Sequence, residues 1–195
     1  MKFKTLVLGM TTLAMTSMLG GILTAQADDD VLGGNSVGEF SVAAGNLTID
    51  AVPTFAFAST DVKTLTNGTT LNYDGSTLKA AGKTSTGTDL TVSDYRGANN
   101  AAWTLTSTIS NFTNGSDTIA GTITYTTSGT ASGTINAAGG TVWNDSDAKT
   151  GGTGSATAGT ATTTSLTLPA TTTAVSGNYD ADITWTLNAT ASATD

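Results

Sequence analysis

Residues 179–191 read YDADITWTLNATA, and they alternate. Tyr179, Ala181, Ile183, Trp185, Leu187 and Ala189 fall on one side of an extended chain, and Asp180, Asp182, Thr184, Thr186 and Asn188 on the other. A period of two marks a half-buried β-strand. The central triplet has an earlier copy, Trp103-Thr104-Leu105, so two of the chain's 3 Trp residues stand in the same tripeptide. Around that copy Trp103, Leu105 and Ile109 share a face, with Thr104, Thr106 and Thr108 opposite. The run 119–125 repeats the pattern, with Ile119, Ile123 and Tyr125 against Thr122 and Thr124. Sheets with one apolar and one threonine face must stack, because a single layer leaves the apolar face wet.

Working outward, short alternating or apolar runs bounded by Gly, Asn, Asp or Ser recur at 39–42, 47–51, 54–58, 69–73, 90–92, 102–109, 119–125, 141–143, 166–168 and 181–189. Such spacing predicts an all-β protein, an antiparallel sandwich or barrel-like sandwich. No window holds helical spacing long enough to predict a helix. The stretch KTGGTGSATAGTATTTS at 149–165 reads as a long Gly/Thr-rich loop.

At the front, Lys2 and Lys4 precede a mostly apolar stretch that ends at Ala25-Gln26-Ala27, the layout of a secretory signal. The expectation is a leader over 1–27, one domain over 28–195, secretion to the cell surface, and no membrane insertion after cleavage. The leader holds two of the seven basic residues and none of the fifteen acidic ones, so its removal changes the net charge from −8 to −10. A chain this acidic lacks the cationic stripe that a nucleic acid or an anionic lipid surface requires. With 0 Cys there is no disulfide framework, and 195 residues suffice to build a core without one.

The absence of His and Cys excludes nucleophiles activated by histidine, and the usual zinc sites go with them. Asp180 and Asp182 point the same way along one strand, which is not how two carboxylates flank a glycosidic bond. Asp145-Ser146-Asp147 with Asn144 offers too few oxygens for calcium and reads as a polar turn. Gly151, Gly152 and Gly154 lack the spacing and the following helix of a phosphate loop. The sequence thus predicts no enzyme, no cofactor and no metal. Leu168-Pro169-Ala170-Thr171 begins like a wall-sorting signal, but Thr172 stands where Gly is needed, and Pro169 reads as a strand terminator.

The two triplets have recognisable surroundings. LTVSDYRGANNAAWTLTSTIS at 90–110 resembles the proximal motif of the WxL surface-protein family of low-GC Gram-positive bacteria. LTLPATTTAVSGNYDADITWTLNATA at 166–191 resembles its distal motif, and GNLTIDAVPTFAFAS at 45–59 its opening. Asp94, Arg96 and Gly97 fit the family's Asp-x-Arg-Gly element and Tyr179 its Tyr before the distal triplet, whereas NNAAW replaces the usual glycine before Trp103. The resemblance implies an all-β domain held non-covalently at the cell wall by peptidoglycan. As the alternative, it implies a subunit of a multiprotein surface complex or adhesin held by a membrane-anchored WxL-interacting protein.

Trp103, Leu105, Trp185 and Leu187 read as core residues, because a Trp on an apolar strand face buries a large area; the competing role is a ligand platform. Arg96 reads as the structural partner of Asp94, with a clamp on a wall carboxylate or phosphate as the other role. Wall contact falls to the threonine face and the loops, joined by Trp143 if that residue stands exposed.

Overall fold

In the computed structural model the chain divides into two compact units, residues 1–40 and 41–195. The described residues are 36–78, 87–97, 102–115, 117–148 and 154–189; of the first unit this leaves 36–40, without helix or strand. The leader expected over 1–27 lies outside them.

The second unit is all-β. In chain order its described elements are β1 (Leu47–Ala51), β2 (Ala56–Phe57), α1 (Val62–Leu65), β3 (Thr69–Gly75), β4 (Asp89–Asp94), β5 (Trp103–Ile109), β6 (Phe112–Asn114), β7 (Asp117–Ile119), β8 (Thr122–Thr126), β9 (Ser132–Ile135), β10 (Gly140–Asn144), α2 (Asp145–Ala148), β11 (Gly154–Gly159), β12 (Ser165–Leu168) and β13 (Ile183–Ala189). They form antiparallel sheets in the orders β1-β4-β11, β10-β5-β13 and β2-β3-β12-β8-β9, with β6-β7 as a separate hairpin.

Alternation places one row from each strand inside. Leu90 and Val92 of β4, Trp103 and Leu105 of β5, Ile123 and Tyr125 of β8, Ile135 of β9 and Leu166 of β12 are buried in one continuous core. Phe55 meets Tyr125 edge-on at 5.4 Å and Tyr125 meets Trp185 at 5.9 Å, so aromatic edges tie the five-stranded sheet to the β10-β5-β13 sheet. Between them the chain turns a corner after β9, where Asn136 Oδ1 accepts from the N–H groups of Ala138 and Gly139. The corner is tight. A Cβ added to Gly133 would stand 2.6 Å from the Thr141 carbonyl oxygen, so a side chain there forces the strands apart.

Three expectations change. The loop expected over 149–165 contains β11, which pairs with β4 in the register Ala156↔Val92 and Ala158↔Leu90 and buries Ala158, a small residue whose inward place composition does not show. The run 119–125 breaks between Ile119 and Thr122, where Gly121 packs against the Phe112 ring so closely that a Cβ would stand 2.5 Å from it. The run 39–42 forms no strand.

Burial pushes the Tyr125 phenol up to about 12, with the Thr160 side chain offsetting only part of the effect. A phenol with a folded pKa above its unfolded value favours folding until the unfolded chain ionises, so stability falls as pH rises from about 10 to about 12. The Tyr125 hydroxyl has no protein hydrogen-bond partner in good geometry. Tyr125→Phe is therefore expected to cost less than about 1 kcal/mol at neutral pH and to flatten the alkaline limb of a stability-versus-pH curve measured by denaturant titration.

Candidate functional site

The two Trp-Thr-Leu triplets are neighbours. β5 and β13 pair antiparallel with Leu105 opposite Leu187, which puts Trp103 opposite Ala189 and Trp185 opposite Ser107. The arrangement is near-twofold about the leucine pair. Each indole faces a small residue across the ladder and so has room to lie over its neighbour strand. Trp103 is 1% exposed and meets Trp143 at 5.8 Å with planes at 90°. Trp185 is half-buried and packs against the core through Tyr125. Neither ring offers an open platform.

Trp143, considered above as an exposed contact, is only 3% exposed, and that role is corrected. A bulge between Thr141 and Trp143 shifts the register, so consecutive Val142 and Trp143 both turn inward. The Trp143 indole N–H donates to Thr130 Oγ1 at 3.1 Å.

Asp94 is fully buried at the end of β4. Arg96 closes on it with a fork: Nε donates to Oδ1 at 2.9 Å and Nη2 to Oδ2 at 2.6 Å, while the Arg96 backbone N–H adds a bond to Oδ1 at 3.1 Å. The Arg96 side-chain hydrogen bonds hold the Asp94 carboxyl below the usual carboxylate range, against the opposing effect of burial. Gly97 follows at φ +67°, a left-handed conformation that explains the glycine in that element.

Tyr179 fastens a corner. Its hydroxyl accepts from the Val175 N–H at 3.0 Å, and it hydrogen-bonds the Val175 carbonyl and the Asp117 carboxylate at the start of β7. The loop before β13 is thereby tied to the β6–β7 hairpin. Asp180 bridges the same hairpin through its backbone, pairing with Thr113. Asn144 and Asp147 satisfy one another at the start of α2, with Asn144 Oδ1 accepting the Asp147 N–H at 2.9 Å. β12 stops at Leu168, directly before Pro169. No helix among the described residues is long and apolar enough to cross a membrane.

What faces outward is regular. On the β10-β5-β13 sheet the register lines up Thr141, Thr106 and Thr186 across three strands, and Asn144, Thr104 and Asn188 in the next row. Thr108 opposite Thr184 extends the lattice. On the five-stranded sheet Thr70, Thr167 and Thr122 form one row and Asn72, Ser165, Thr124 and Thr134 another. None of these rows contains a charge. The sequence shows the alternating threonines of each strand but not these rows, because a row exists only once distant strands have found their register.

The described residues thus form an all-β domain with the triplet indoles on the inner faces and neutral hydroxyl rows on the outer ones. The model of the WxL domain family, described as surface cell wall-binding, matches residues 33–191, and the chain belongs to that family. It is thus a cell-surface binding domain. Searches of curated proteins and of solved structures gave no match.

Proposed function

We propose that the domain, with residues 1–27 as export leader and 28–195 as the working unit, adheres to the wall through the outer face of the β10-β5-β13 sheet and takes the glycan strands of peptidoglycan as its ligand. The observation that carries this reading is that every outward side chain in the rows of that face, Thr104, Thr106, Thr108, Thr141, Asn144, Thr184, Thr186 and Asn188, is Thr or Asn. Strands about 4.8 Å apart and residues about 6.8 Å apart along each strand make a grid of hydroxyls and amides that both donate and accept. A sugar polymer presents the same mixed chemistry, and many weak bonds in parallel give retention without one deep pocket. The net charge of −10 left after residues 1–27 are removed works against anionic wall polymers but leaves a neutral glycan unaffected.

Purified mature protein added to protein-free wall sacculi tests this. Retention is expected, and Thr106→Glu combined with Thr186→Glu should lower it at least about tenfold by disrupting the central row, with near-ultraviolet circular dichroism unchanged. Undiminished retention of that variant removes the face from the account. Retention only when a WxL-interacting protein is added assigns adhesion to a surface complex instead.

A further inference from the structure

We propose that the cleft between the β2–α1 segment and the β6–β7 hairpin is a docking slot for an extended polypeptide segment of a partner protein, one that carries aliphatic or aromatic anchors flanked by Lys or Arg. The slot lies apart from the threonine lattice and does not depend on wall binding. It encloses about 540 Å³, within the range of sites that hold a ligand rather than a stray packing gap. Phe57, Leu65, Phe112, Leu168 and Tyr179 are among its walls. At its lip Val62 and Val175 are 42% and 51% exposed, so apolar surface is left wet at the mouth of an apolar cleft.

Shape and charge choose the occupant. Every residue from Phe55 to Val62 lines the cleft, so it follows a length of chain instead of closing around a point, which fits an extended segment better than a compact molecule. Asp61 and Asp180 also line it, and among the described lining residues none is Lys or Arg, with Lys63 standing next to the lip on α1. Thr64 donates from its N–H and its hydroxyl to Asp61, which favours the ionised carboxylate. An anionic mouth on an acidic protein repels a second copy and an anionic lipid headgroup, and attracts basic flanks. The walls are fixed in advance. Tyr179 is held by Asp117 and Val175, Asn114 Nδ2 donates to the Ser176 carbonyl at 3.3 Å, and the Thr171 N–H donates to the Leu65 carbonyl at 2.9 Å. Little ordering cost remains on this side when a segment enters.

The test is selection of a random-peptide phage library on the full mature protein, with Val175→Arg as the paired bait. Val175 is half exposed, so this variant should fold, and an unchanged near-ultraviolet spectrum together with an unchanged thermal midpoint verifies that it has. Enriched peptides are expected to carry Phe, Leu, Ile or Val anchors flanked by Lys or Arg. Synthetic copies should bind at least about tenfold more weakly to V175R, and several-fold more weakly to Asp61→Asn with Asp180→Asn. Peptides that bind V175R as well as wild type, peptides with acidic or uncharged flanks, or no enrichment at all overturn the proposal. So does concentration-dependent self-association in sedimentation velocity that V175R abolishes, since it gives the slot to a second copy.

Discussion

Trp103→Ala is expected to destabilise the domain by about 3–5 kcal/mol, the cost of deleting a large buried aromatic side chain into a core that cannot collapse around the gap. The ring is buried on the inner face of β5, edge-on to Trp143, with only Ala189 opposite it on β13. Ala189 is too small to fill the space. At roughly 2–4 °C per kcal/mol for a domain of this size, the midpoint of thermal unfolding should fall by about 6–20 °C. Trp185→Ala should cost less, about 2–3 kcal/mol, because that ring is half-buried and loses mainly its edge contact with Tyr125. Denaturant titration of both variants ranks them. A Trp103→Ala protein that melts like wild type but no longer sediments with sacculi would turn the indole into a contact residue.

Arg96→Ala should cost about 3 kcal/mol at neutral pH, at the low end of the range for breaking a buried ion pair because the guanidinium is partly exposed. The loss arises from the partner left behind, since Asp94 has 0% exposure and loses both arms of the fork. The sign with pH follows from the direction of the Asp94 shift. Its folded pKa lies below the unfolded value of 3.8, so its contribution is full above that value and is lost as pH falls through the folded pKa. In the variant, burial without the arginine raises the carboxyl pKa instead. The gap between wild type and Arg96→Ala is therefore widest at neutral pH, begins to narrow as pH falls through the variant's raised carboxyl pKa, and stops changing below the wild-type folded pKa. Arg96→Lys should recover only part of the loss, because an ammonium lacks the planar fork. Urea titration across that pH range measures all three proteins. A gap that does not change with pH would show that Arg96 acts by packing alone.

Much of the layering is legible in the sequence, and the reason is local. Where side chains alternate between Ile, Trp or Leu and Thr, as in β5 and β13, a two-residue period decides which atoms go inside without reference to the rest of the chain. Where alternation is weak the signal fails. β11 is Gly-Ser-Ala-Thr-Ala-Gly, whose inward alanines look like linker until Leu90 and Val92 stand opposite them. Trp143 defeats alternation for another reason, because its bulge answers to the register against Leu105, which lies far away in sequence. The Asp94–Arg96 pair was readable from two residues of opposite charge at close spacing, but the depth at which it sits was not.

By itself the sequence determined that this chain forms stacked β-layers, that the duplicated Trp-Thr-Leu strands turn their indoles toward the core, and that threonine covers the outside. These outcomes follow from side-chain order along single strands. Only the tertiary structure decided that the two triplets pair with Leu105 against Leu187, that outward threonines line up into rows, and that an acid-rimmed cleft opens beside β2. Register, sheet order and clefts are properties of segments brought together across the chain, and the packing that selects them is non-local.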